Sequence, residues 1–228
     1  MNYSITISGE TLPILIRRHA SARRIVIRYQ PLAHALSLTL PRYVSIRQGL
    51  HFIEEKRRWI ALRLKEKPPF VPFADGQAIP VLGRDYVLAH VGGRGVVHID
   101  GDRIVVPGEA SFMQRRVREW LKTQLRQEID RLAGAKAQRI GVKLKKIVLR
   151  DTSSRWGSCS HDGNLSFSWR LVFAPAAVLE YMVSHEVAHL KEHNHSDAFW
   201  AVVESVYKDY TQAQRWLSAH GQTLYAYG

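Results

Sequence analysis

Residues 184–200, SHEVAHLKEHNHSDAFW, place four histidines, His185, His189, His193 and His195, within eleven positions. On a helical wheel advancing about 100° per residue, Val178, Met182, His185 and His189 fall together while Glu180, Ser184 and Lys191 lie opposite. Both histidines therefore point inward at the edge of an apolar arc. Imidazoles one turn apart on such a face can meet at a common spot, the geometry that His-Glu-x-x-His offers a metal ion. Any fold this chain adopts must enclose that helix, predicted from Pro175 to about His193, with Pro175 at its first position.

The remaining histidines differ in reach. Along a straight helix His193 would sit about 12 Å beyond His185, too far to share one ion with it. Asn194 is a residue type that tolerates the left-handed conformation ending a helix, so His195 follows the expected turn and can fold back. Ser196 then caps a further helix carrying Phe199, Trp200, Val203, Val206 and Tyr207 at helical spacing. His185, His189 and His195 are thus the expected ligands, with the fourth position open as in catalytic zinc sites. Glu186 is placed to reach a water on the ion rather than the ion itself. Cys159 is the single cysteine, which excludes zinc sites built on two or more thiolates. A thiolate from it in the fourth position would displace the water the motif is suited to activate.

With 228 residues and 46% hydrophobic content, the chain is long enough for a real core. No stretch approaches the roughly 18 apolar residues that span a bilayer, and MNYSITISGE lacks the pattern of a secretory signal, so a soluble cytoplasmic protein without membrane contact is expected. The fold class expected is α+β. Short alternating segments at Ser4–Ile7, Leu12–Ile16, Arg24–Tyr29, Ala35–Leu40, Tyr86–Val91, Gly95–Ile99 and Arg103–Val106 predict small antiparallel sheets. One helix, Ser45–Lys65, interrupts them, with Pro68-Pro69 as its stop. A second long helix runs from Glu109 to about Arg139. Pro107-Gly108 separates strand-rich from helix-rich sequence, giving a β-rich domain over 1–108 and a helix-rich domain with a small β-hairpin or sheet over 109–228. In the latter, Lys145–Arg150 and Asn164–Trp169 read as strands joined by the turn-like SSRWGSCSHDG.

The net charge of +13 is uneven: 16 Lys/Arg face 9 Asp/Glu over 1–110, 12 face 3 over 111–150, and 5 face 8 over 151–228. Basic character thus lies away from the histidines. The side of the second long helix bearing Arg115, Arg116, Arg118, Lys122 and Arg126 is a candidate nucleic-acid contact, with a solvated helix face as the equal alternative.

The sequences SSRWGSCSHDGNLSFSWRLVFAP and HEVAHLKEHNHSDAFW together resemble the YgjP-like zinc metallopeptidases, a family related to the SprT-like and WLM groups and more distantly to gluzincin-type zincins. RRHASARRIVIRY, FADGQAIPVLGRDY and RWLSAHG extend the resemblance over nearly the whole chain. It implies a zincin-like C-terminal domain that hydrolyses peptide bonds with Zn2+ held by His185, His189 and His195 and with Glu186 as general base. Arg155, His193, Tyr207 and Tyr210 are the candidate transition-state or substrate contacts, and Asn164–Trp169 is the strand expected to carry an extended protein or peptide substrate. Trp156 and Gly157 read as core and tight turn. The alternative function is a nucleic-acid-associated protein, either a DNA-recruited protease or a binding module, in which the basic regions dominate.

Overall fold

The structure, a computed structural model, describes residues 3–30, 33–65, 69–153 and 155–228. Pro68, half of the expected helix stop, and Ser154 lie outside the described residues. The chain divides into two compact units, Met1–Pro68 and Pro69–Gly228.

In the first unit β1 (Tyr3–Ile7), β2 (Glu10–Arg18), β3 (Val26–Gln30) and β4 (Ala35–Leu40) form one sheet in the order β1-β2-β4-β3. Alternation sends Ile5, Leu12, Ile14, Leu36 and Leu38 to one face, where they share a core with Ile53, Ile60 and Leu64 of two helices. These are α1 (Ile46–Glu55) and α2 (Arg57–Lys65), where the sequence predicts one continuous helix. The break at Lys56 needs no proline, because its N–H is shared between Phe52 O and Ile53 O and tightens the turn. Ser45 caps α1 as expected, its hydroxyl accepting from Gln48 N while Gln48 Oε1 accepts from Ser45 N.

The second unit begins with β5 (Ala78–Val81), β6 (Arg84–Val91), β7 (His98–Asp100) and β8 (Arg103–Pro107), ordered β5-β6-β8-β7. A 3-10 turn leads into α3 (Met113–Ile140), which ends where Gly141 adopts φ 71°, the left-handed cap that favours glycine. Val117, Leu121, Leu125 and Ile129 of α3 are fully buried in one core with Leu88, Ile104 and Val106 of the sheet. Pro107-Gly108, the boundary read from the sequence, therefore falls inside this unit. It does end a strand, but the strands before it bury their apolar face in the same core as the helix after it.

A three-stranded sheet follows, made of β9 (Lys146–Arg150), β10 (Gly157–Cys159) and β11 (Asn164–Ser168) in the order β10-β11-β9. After a 3-10 turn over Trp169–Phe173 come α4 (Ala176–Ala188), α5 (Asp197–Val206) and α6 (Tyr210–His220), then a 3-10 segment, Gly221–Ala226. The α+β class holds, but the sheets are mixed rather than antiparallel: β2–β4, β6–β8 and β9–β11 each pair in parallel. Alternation fixes which face a strand buries, not its direction, so the pattern alone does not separate a hairpin from a crossover. No helix is long and apolar enough to cross a membrane among the described residues.

The C-terminal segment braces the chain that enters β10. Arg170, 4% exposed, pairs through Nε with Asp151 Oδ1 at 2.9 Å and donates from Nη1 to Tyr227 O at 2.8 Å. Tyr225 donates to Thr152 O at 2.9 Å, and its ring lies 5.0 Å from that of Trp156. Strand β10, its entry so braced, then passes directly against α4.

Candidate metal centre

Helix α4 is buried along Val178, Leu179, Met182, Val183 and Val187, and this apolar burial carries His185 and His189 inward. The helix stops at Ala188, five residues before the predicted end, with His189 as its C-cap. Asn194 does not take the left-handed conformation expected of it. The stop is instead made by two tight bonds, Leu190 N to Val187 O and Lys191 N to Ala188 O, with the ring Nδ1 of His189 at 3.0 Å from Glu192 O. The chain turns over residues 189–196 and starts α5 at Asp197.

That turn brings His195 back. One nitrogen of each of His185, His189 and His195 lies within 4.8 Å of the others. His193 stands apart from this group, its ring stacked at 5.3 Å on His161. The ring of Phe199, fully buried at the start of α5, is 4.9, 4.5 and 4.8 Å from His185, His189 and His195 and forms a common platform for all three. Sequence periodicity marks Phe199 only as core.

The donor set fits a metal ion. Nε2 of His185 and Nε2 of His195 face one another at 3.1 Å, close to the roughly 3.3 Å edge of a tetrahedron with about 2.0–2.1 Å bonds. Glu192 O accepts from Nδ1–H of His189, which leaves that ring's Nε2 lone pair free for an ion, the usual outer-shell arrangement. Burial, then the charges of His189 and His195, push His185 down to about 4, so at neutral pH it is the neutral imidazole, the form able to ligate a metal. His189 is lowered as well, chiefly by burial. Cys159 is not among the grouped ligand atoms, and burial followed by the Glu186 charge raises its thiol pKa, which disfavours the thiolate.

Glu186 is 3% exposed, and its Oε2 has no hydrogen-bond partner among the described residues. Burial pushes its carboxyl up to about 8, against the opposing pull of the Arg155 charge. Its side chain rests against Gly157 of β10: a Cβ there would lie 2.5 Å from Oε1 and 2.7 Å from Cγ. Gly157 is thus a place of close approach to the carboxylate rather than the tight turn read from the sequence, and a strand lies where a turn was expected. The strand expected to carry substrate, β11, is central in its sheet; β10 is the edge on the α4 side.

The other sequence candidates separate. Arg155 lies on the Glu186 side, where its charge is felt. Tyr210 stacks on Trp200 at 5.2 Å and on Tyr181 at 6.5 Å, one ring removed from His185. Tyr207 packs instead beneath Lys136, which is bound to Glu180. The residue the sequence reading missed is Tyr181. Its ring is 5.9 Å from His185, and burial followed by the Glu186 charge raises its pKa. Its position four residues before His185 places it on the same helix face, a signal that was legible.

The basic side of α3 is engaged in packing. Arg116 donates to Gly95 O at 2.6 Å, Arg126 binds Asp130 and Ile147 O, Arg115 sits over Phe112 and Lys122 over Trp169.

Residues 23–220 match the YgjP-like family, described as a YgjP-like metallopeptidase domain, and the chain belongs to that family. Among solved structures, the metallopeptidase zymogen of Pyrococcus abyssi abylysin is similar at 21% identity and a TM-score of 0.37, covering 40% of this chain and 93% of that one. No curated protein matches.

The histidines make unequal demands on a metal. His195→Ala is expected to lower metal affinity by roughly 100-fold or more, whereas His193→Ala leaves it within about threefold, since only His195 belongs to the group of three that could hold an ion. Competition with a chromophoric chelator measures both constants; equal losses would remove His195 from the ligand set.

Proposed function

We propose that the protein is a zinc-dependent peptidase in which His185, His189 and His195 hold the ion and Glu186 is the general base. The observation that carries this reading is the approach of the three histidine nitrogens to within 4.8 Å beside a buried carboxylate on the same helix. An imidazole-only donor set suits zinc and the later transition metals over calcium and magnesium, and zinc, when bound, would supply Lewis acidity toward a scissile carbonyl and toward water. The work of the chain itself concerns protons and position. The Glu186 carboxylate takes the proton of the attacking water and returns it to the leaving amine. Gly157 lets β10 pass close enough to fix that carboxylate. The free edge of β10 offers backbone groups to an extended peptide, and Ser158, Ser166, Val148 and Arg155 line the adjoining trough on the sheet. Arg155, whose charge acts on Glu186, and Tyr181, whose ring lies 5.9 Å from His185, are proposed to contact a developing oxyanion or its substrate.

The test is hydrolysis of an unfolded protein such as fluorescent casein. Activity should vanish when the metal is stripped with a chelator and return on adding about one equivalent of zinc per chain. Activity that persists after complete metal removal would rule the proposal out.

A further inference from the structure

The first unit carries 13 Lys/Arg against 4 Asp/Glu over 68 residues, a net +9, while the second unit carries 20 against 16, because the basic stretch around α3 is offset there by acids elsewhere. The structure gathers that charge at one end of the sheet. Strands β2 and β4 run parallel, so both finish at this end, and β3 starts there with Val26 opposite Thr39. Arg18 Nη1 donates to Pro41 O, Arg42 O and Val44 O, tying the end of β2 to the turn after β4. Tyr43 donates to Arg23 O at 2.8 Å, tying that turn to the segment before β3. Arg18, Arg23, Arg24, Arg42 and Arg47 are all exposed around these joints.

The charge continues over the sheet face opposite the core. Small residues of β4, Ser37 and Thr39, form its floor, with Arg28 of β3 and Arg17 of β2 beside them. Arg17 Nε donates to Thr39 Oγ1 at 2.8 Å, and both arginines are exposed. The described acids of the unit are occupied elsewhere: Glu10 with His34, Glu55 with His51 and Glu54 with Arg57. None of Arg17, Arg24, Arg28, Arg42 or Arg47 is in an ion pair among the described residues. Arg47 even stands in the first turn of α1, where the helix dipole favours an acid.

Two features select the partner. The cationic residues gathered at this end are arginines without a lysine, the side chain whose planar fork binds phosphate in bidentate fashion. Tyr43, between Arg42 and the α1 cap, is 77% exposed, an aromatic face available for stacking beside cations. We propose that this end of the N-terminal unit binds single-stranded nucleic acid, with phosphates on the guanidiniums and an unpaired base on Tyr43. The inference is independent of the peptidase reading, and its test uses no hydrolysis.

The experiment is fluorescence anisotropy of a labelled single-stranded DNA oligonucleotide with the full chain, from about 50 to about 200 mM salt. Replacing Arg17, Arg24, Arg28 and Arg42 together by Ser should flatten the log–log salt slope by about three units and weaken binding tenfold or more at the lowest salt, since each phosphate contact contributes about 0.7. Tyr43→Ala should weaken binding roughly tenfold with the slope unchanged, and it decides the matter alone if circular dichroism shows the quadruple variant unfolded. Arg115→Gln with Arg118→Gln on α3 should leave the slope as it is. A wild-type slope in the folded quadruple variant, undiminished binding in Tyr43→Ala, or tighter association with anionic lipid vesicles than with the oligonucleotide would overturn the proposal.

Discussion

Glu186→Gln is expected to lower peptide hydrolysis by roughly 10²–10⁴-fold while leaving zinc affinity unchanged, because in the proposed mechanism the carboxylate acts on protons, and it is not one of the three grouped residues. The same substitution should stabilise the metal-free protein at neutral pH. The carboxyl is lifted from its ordinary 4.5 to about 8 in the fold, principally by burial. Below pH 4.5 folded and unfolded chains both hold the proton, and the group is neutral in its effect on stability. Between 4.5 and about 8 the folded state retains a proton that the unfolded state has lost, so stability falls as pH rises through that window. Gln removes this penalty, which is on the order of a few kcal/mol once fully developed. His185 works in the opposite sense, since its depressed pKa costs stability only at pH values below 6.5. At pH 7.5 to 8 the metal-free Gln variant should therefore unfold roughly 5 °C or more above wild type, with the gap closing toward pH 5. Thermal unfolding across pH checks this, and a variant that also loses zinc would show Glu186 to be a ligand.

The second large effect lies on the strand. Gly157→Ala should lower kcat roughly 100-fold, with zinc content and KM little changed, because the new Cβ would sit 2.5 Å from Glu186 Oε1 and the carboxylate must move. The histidines are held separately, on the Phe199 platform, so the variant isolates the placement of the base from the binding of the ion. Steady-state kinetics with metal analysis read the two apart. Wild-type kcat in a folded Gly157→Ala chain would mean that the close approach has no part in catalysis.

Much of this site is legible in the sequence because helical periodicity and side-chain chemistry are local properties. The inward aim of His185 and His189 follows from the apolar residues at their spacing, and the return of His195 follows from the length of an extended helix. The end of α4 was misplaced because it carries no Gly or Pro signal; it is made by tight bonds around Val187 and Ala188 and by the contact of His189 with Glu192. Strand β10 was hidden by its shortness and small residues, Gly157, Ser158 and Cys159, which read as a turn until the pairing of Ser158 with Ser166 is seen. The boundary at Pro107-Gly108 failed for a different reason. A unit is defined by which apolar faces meet, and the burial of Leu88 and Val106 in one core with Val117 is a long-range fact that no local composition encodes. The local ties of the α3 cations are likewise illegible in a count, which does not show that Arg116 and Arg126 donate to backbone carbonyls.

The claim on which the rest depends is an open site of three imidazoles with no sulfur. X-ray absorption spectroscopy of the zinc-loaded protein tests it most directly. The expected result is a first shell of three nitrogen scatterers with imidazole outer-shell features and one oxygen, all at about 2.0–2.1 Å. A sulfur scatterer at about 2.3 Å, a thiolate distance for which Cys159 is the one candidate, or a closed shell of four imidazoles would contradict it.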